Sequence, residues 1–195
     1  MKLGPPVAAA LLCAGLAACR GEKPPDLRQI RERAYAELDR ENLDAASELA
    51  EHGYHSAVKS GDRAAAWSLQ VLRAEVLILR RDSDGALRLL TEPAPPGVAL
   101  DVRARGLMTQ GFALCQLVAR GEVGNKDPAE ELLARAEQIA RSVGSARLTA
   151  EVALRRGTCD LQRGANEQAE TRFRQGLSAA RTGGLRRLEG HAAGS

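Results

Sequence analysis

His52 and His55 stand three residues apart, with Glu48 and Glu51 beside them. On a helix this spacing brings the four side chains toward one face, where imidazole and carboxylate could hold a divalent metal or pass a proton. A zinc site would want another converging ligand, and the spacing is equally that of an exposed polar face. The third histidine, His191, falls in a Gly- and Ala-rich tail. No Gly-rich phosphate loop, nucleophile elbow or His-Glu-x-x-His pattern occurs, and residues 121–124 (GEVG) lack a following Lys-Ser/Thr helix start. The residues therefore predict no metal, no cofactor and no catalysis.

The four cysteines are more telling. Residues 1–19 read MKLGPPVAAALLCAGLAAC, with a basic Lys2 ahead of an apolar stretch over residues 7–16. Such a stretch has the length of a secretory signal core and is too short to span a bilayer. Leu16-Ala17-Ala18-Cys19 then resembles the lipobox of bacterial lipoproteins, in which small residues fit the peptidase and the thiol accepts a diacylglyceryl group. Cys13 is a poorer match because Leu12 precedes it. The resemblance implies a signal peptide over residues 1–18, an acylated Cys19 that engages the membrane, and a polar, Pro-rich linker over residues 19–26. Arg20, rather than Asp, follows the cysteine, which implies the outer membrane, periplasmic side. Cys115 and Cys159 would then sit in an oxidising compartment, where a bridge between them is open. Both fall on apolar helix faces, where free cysteine packs as a small hydrophobe, so two buried thiols are the expectation.

Composition sets the fold class. Hydrophobic residues make up 44% of the chain but aromatics only 3%. Alanine, leucine and arginine, all good helix formers, dominate, and runs of β-branched residues are absent. The prediction is all-α. Net charge is only +3, and the charges of both signs are interspersed. Nucleic acid would want clustered cations and stacking aromatics, whereas Tyr35, Tyr54, Trp67, Phe112 and Phe173 are scattered. No nucleic-acid partner is expected.

A repeat organises the rest. The spacing small–x3–bulky–x2–small recurs at Ala46-Ala50-Gly53, Ala86-Leu90-Pro93, Ala129-Leu133-Ala136 and Ala169-Phe173-Gly176. A further small residue precedes the first alanine by twelve positions in three units, namely Ala34, Ala74 and Gly157. Gly111 plays that part in the third unit, displaced by a loop insertion over residues 121–126 (GEVGNK). Asp62, Ser83 and Asp127 with Pro128 read as helix starts, and Gly61, Gly144 and Gly183 as stops. The prolines of residues 92–97 (EPAPPG) break the array in its middle.

This pattern resembles the tetratricopeptide motif, in which small residues let paired helices approach. Here the leading alanines recur at intervals of 40, 43 and 40 residues against 34 in the standard motif. Longer first helices would absorb the difference. The resemblance implies a right-handed α-solenoid of about four helix pairs over residues 27–182, with residues 183–195 an incomplete tail. It also implies a concave face lined by Arg28, Arg31, Tyr35, Ser68, Glu75, Arg105, Met108, Phe112, Gln116, Glu151, Thr158 and Gln162. Of these, Arg31, Tyr35, Glu75, Arg105, Phe112, Gln116 and Gln162 form the expected groove for a peptide or protein ligand. Replacing Arg31 and Arg105 there should weaken an acidic ligand with little effect on stability. Because only a short tail follows the fourth unit, Phe173 and Leu177 should be open on one side, and the chain should be either a truncated piece of a longer array or one that covers this end by self-association.

Residues 69–96, with a tight turn and terminal prolines, and the first repeat at residues 33–38 (RAYAEL) resemble the N-terminal region of bacterial CHAT-class proteins, caspase-type proteases associated with tetratricopeptide repeats. The likeness runs from residue 1 to about 180, and that family's protease residues lie in a separate C-terminal domain with no counterpart here, so no catalytic residue carries over. The expected function is a membrane-anchored periplasmic scaffold for proteins or peptides. The alternative is the sensor half of a CHAT-type protease whose catalytic domain is absent.

Overall fold

The computed structural model describes residues 26–186 together with Leu188 and Gly190. The signal-like segment, Cys19 and the rest of the linker up to residue 25 lie outside the described residues. Eight helices and no strand are found among those described. They are α1 (Leu27–Asp39), α2 (Leu43–Ser60), α3 (Arg63–Leu79), α4 (Ser83–Leu89), α5 (Leu100–Ala119), α6 (Asp127–Ser142), α7 (Ala146–Gln162) and α8 (Asn166–Thr182). The protein is all-α, as its composition requires.

Short polar residues start most of these helices by accepting hydrogen bonds from backbone N–H groups that have no partner inside the helix. Asp26 caps α1, Asn42 caps α2, Asp62 caps α3 and Ser145 caps α7. Two starts differ from the sequence reading by one residue. Asp82 rather than Ser83 caps α4, accepting from the Gly85 N–H at 2.7 Å, while Ser83 is turned into the protein. Asp127 is already helical, and the Asn125 side chain accepts from its N–H at 3.0 Å. Glycines in the left-handed region end α2 and follow α6, at Gly61 (φ 74°) and Gly144 (φ 64°). After α8 that role falls to Gly184 (φ 65°), not Gly183.

Each helix packs on the next, and α1, α3, α5 and α7 also pack in succession on one another. The recurring small residues make this close approach available. Ala34, Ala46, Ala50, Ala74, Ala86, Ala129, Ala136 and Ala169 are all buried. At Gly111 an added Cβ would stand 2.8 Å from Leu133 Cγ and 3.0 Å from the Ala129 carbonyl oxygen. At Gly157 it would stand 2.6 Å from the Phe173 ring. The bulky residue of one helix therefore fills the space that its partner's glycine leaves empty, which is the physical content of the spacing.

The long period has a different origin from the one expected. Second helices are extended as well as first ones: α2 has 18 residues and α8 has 17, against 13 in α1 and 17 in α7. In the second unit α4 has only 7 residues, and the proline-rich segment before α5 makes up the length. Ending a helix this early strands its last carbonyls. Gln70 from α3 donates to the Leu89 carbonyl, Gln110 from α5 donates to the Leu90 carbonyl, and Trp67 Nε1 donates to the Glu92 carbonyl at 3.2 Å. The main core runs from Trp67 and Val71 through Val102, Met108 and Phe112 to Leu148 and Val152.

Candidate functional site

The residue pattern of α7 carries the site. Arg147, Glu151 and Arg155 recur every four residues, so they lie along one stripe of the helix. That stripe faces Tyr35 of α1, Glu75 of α3 and Arg105 of α5, and the four helices together fill one shared face. Arg105 Nη1 donates to both Glu75 oxygens, at 3.1 and 3.4 Å, and Arg105 Nη2 reaches Glu151 Oε2 at 2.9 Å. Glu151 Oε1 accepts from Arg147 Nε at 2.9 Å. Arg147 then forks across to Asp39 near the end of α1, with Nη1 at 2.9 Å from Oδ2 and Nη2 bonded to Oδ1. The Arg105 guanidinium also stacks over the Tyr35 ring, 4.9 Å from its centre.

The centre of this face is closed to water, while Arg147 and Asp39 at its edge are each 40% exposed. The Arg105 side chain is 14% exposed and that of Glu75 only 5%. Burial pushes the Glu75 carboxyl above its usual range, and Arg105 opposes that rise. Burial works to lower the Arg105 pKa, but Glu151 and Glu75 outweigh it and the net shift is upward. The hydrogen bond to Asp39 holds Arg147 above the ordinary guanidinium range, against burial. Burial raises the Tyr35 phenol, whose enclosed hydroxyl has no hydrogen-bond partner among the described residues.

Arg155 is the exception within the cluster. It stacks on the Phe112 ring at 4.3 Å, and burial lowers its pKa while Glu75 and Glu151 act on it from beyond ion-pair distance. Among the described residues no carboxylate forms an ion pair with it.

Several of the residues expected to line a groove lie together, paired with one another. Tyr35, Glu75, Arg105, Phe112 and Glu151 come together, with Arg31 near enough to act on Tyr35. Gln116 instead serves α4, accepting from Ser83 Oγ at 2.5 Å. Gln162 is exposed at the end of α7. Met108 and Ser68 are buried, and Thr158 donates to the Leu154 carbonyl. Arg28 is exposed and pairs with Glu32. The stability-neutral replacement of Arg105 expected from sequence is corrected by its burial between two carboxylates. Asp39, Arg147 and Arg155 were missed, although the fourfold charge spacing on α7 was legible.

The two remaining cysteines depart from expectation outright. Cys115 of α5 and Cys159 of α7 form a disulfide, with Cα atoms 5.9 Å apart. Two apolar faces that bury a thiol each have been packed against one another, so burial and bridging were never alternatives. Next to the bridge lies a cleft of about 360 Å³ whose arginines are matched internally, Arg163 by Glu130 and Asp160, and Arg156 by Glu137.

His52 and His55 lie on an exposed face of α2, where His55 Nε2 meets Glu51 Oε1 at 2.8 Å. Among the described residues no group of three or more His, Cys, Asp or Glu side chains is placed to hold a metal ion. No described helix is long and apolar enough to cross a membrane. Against known proteins, the chain matches no protein-family model and no curated protein.

Proposed function

We propose that this protein is a membrane-anchored helical-repeat scaffold that binds an acidic segment of a protein partner and performs no chemistry of its own. In this reading the four helix pairs form a right-handed solenoid of the tetratricopeptide type. The buried small residues and the successive packing of α1, α3, α5 and α7 support it. The shared face is the inner one, and it is pre-organised by its own ion pairs rather than held open as an empty groove.

The observation that carries the binding proposal is Arg155. A guanidinium stacked on an aromatic ring, partly withdrawn from water and without a paired carboxylate among the described residues, gains more from an incoming carboxylate than a solvated one does. A short glutamate-rich peptide should bind the wild type, and Arg155→Met should weaken it about tenfold, or ~1.4 kcal/mol. Methionine keeps an apolar stem over Phe112, so the melting temperature should move little. Equal affinity of the two proteins by fluorescence anisotropy, or a preference for a lysine-rich peptide, would reject this reading.

The anchor is tested separately. If Leu16-Ala17-Ala18-Cys19 directs lipidation, the mature chain begins at an acylated Cys19, visible by mass spectrometry. Cys19→Ala should leave the precursor uncleaved or release the protein to the soluble fraction. Anchoring by several acyl chains is firm, since each buried methylene contributes about 0.8 kcal/mol. A wild type that is wholly soluble after lysis would end the proposal.

A further inference from the structure

We propose that the cleft between α6 and α8 binds a small molecule carrying one terminal oxyanion, carboxylate or phosphate, on a short apolar body. The site shares no residue with the Tyr35–Glu75–Arg105 cluster, and it does not depend on the peptide-binding reading above.

Among the described residues α6 and α8 each pack on α7 and not on one another. The space between them is the cleft of about 360 Å³ beside the disulfide, a volume within the range of small-molecule sites. Ala129 and Leu133 of α6, Val118 of α5 and the Cys115–Cys159 bridge give it an apolar wall. Arg156 of α7 and Arg172 of α8 line it as well.

Every arginine of the cleft has an acid, but the acids are unevenly shared. At one end Lys126 and Arg163 stand with Glu130 and Asp160, two cations with two carboxylates, and Arg163 bonds to both acids. Two helical turns along α6, about 10 Å, Glu137 takes Arg141, Arg156 and Arg172 together. One carboxylate cannot neutralise three guanidiniums. Arg141 is 65% exposed, so water screens it. Arg156 and Arg172 are only 21% and 25% exposed, and their surplus charge is relieved less. Neither guanidinium is saturated. Arg156 commits Nη1 to Glu137, and Arg172 commits Nη1 to Glu137 at 3.4 Å and to Gln175 at 3.3 Å. Their remaining N–H groups are the forked donors that an oxyanion accepts from. The apolar body of the ligand then lies along Leu133 and the disulfide. A second anion at its far end would meet Glu130 and Asp160, where charge is already balanced, so one terminal anion is selected.

Isothermal titration of the full chain in mild detergent, in a buffer free of phosphate and carboxylate, tests this with hexanoate, hexyl phosphate and hexylamine. At least one of the two anions should bind in the millimolar range or tighter, the tighter one identifying the headgroup, and hexylamine should not bind. Arg156→Gln and Arg172→Gln should each weaken binding about tenfold, through loss of charge-assisted hydrogen bonds. Each variant leaves Glu137 two arginine partners, so folding is retained. Glu137→Gln acts in the opposite direction: it removes the carboxylate that competes with the ligand, and affinity should rise several-fold. If Glu137→Gln does not fold, the two arginine variants decide. Failure of both anions to bind would overturn the proposal. So would hexylamine binding as well as the anions, anion binding indifferent to both arginine substitutions, or a folded Glu137→Gln protein that binds more weakly.

Discussion

Arg105→Met is expected to destabilise the protein by about 3–5 kcal/mol, the cost of removing one partner from a buried ion pair and leaving the rest uncompensated. Arg105 lies between Glu75 and Glu151, and both would remain in a closed environment without their common cation. At roughly 2–4 °C per kcal/mol for a chain of this size, the melting temperature should fall by about 10 °C. Adding Glu75→Gln to Arg105→Met should return part of the loss, because one of the stranded charges is gone.

The pH dependence of the variant follows from the direction of the Glu75 shift. Burial already raises this carboxyl above its ordinary range, and Arg105 is what restrains the rise. A carboxyl whose folded-state pKa exceeds its unfolded value favours folding when protonated, and that contribution is lost as pH rises through the folded pKa. Without Arg105 the shift grows. The gap in stability between variant and wild type should therefore be widest near neutral pH and narrow on acidification through the carboxylate range. A melting temperature within a degree or two of wild type at neutral pH would show that the Glu75–Arg105–Glu151 cluster is not what joins α3, α5 and α7.

Reduction of the Cys115–Cys159 bridge should cost about as much. The sulfurs join residues 44 apart in sequence, and releasing a loop of that length returns entropy to the unfolded chain worth about 4 kcal/mol at room temperature. Cys115 and Cys159 are 7% and 3% exposed, so a reductant should reach them only as the helices open. Thermal unfolding with and without dithiothreitol, or of a Cys115→Ala/Cys159→Ala variant, measures the effect. An intact mass that does not rise by two hydrogens on reduction after unfolding would mean that the bridge is absent in solution. A bridge that persists fits an oxidising compartment, and so supports the proposed place in the cell envelope.

Local chemistry determined much of this protein before any tertiary contact was considered. Ala, Leu and Arg content without β-branched runs required helices, because these residues lose little side-chain freedom in them. The small–bulky–small spacing located the close contacts, since only a small side chain at Ala34, Ala74, Gly111 or Gly157 leaves room for a packed neighbour. Asp62 and Gly61 marked a helix start and a stop because a cap needs a side-chain acceptor, and a left-handed turn is easiest without a Cβ.

What lay beyond reach was set by contacts between residues far apart in sequence. The spacing of Cys115 and Cys159 says that each is buried, but only the packing of α5 on α7 brings their Cα atoms to bridging distance. Position in a motif nominates Glu75 and Arg105 as groove residues, but their burial depends on how tightly four helices close on one face. Asp39 and Arg147 meet across 108 residues of sequence, a pairing that neither helix announces. Periodicity along one helix reports which side is inward. Which buried charges pair with one another depends on the relative placement of α1, α3, α5 and α7, and that placement is a property of the packed structure alone.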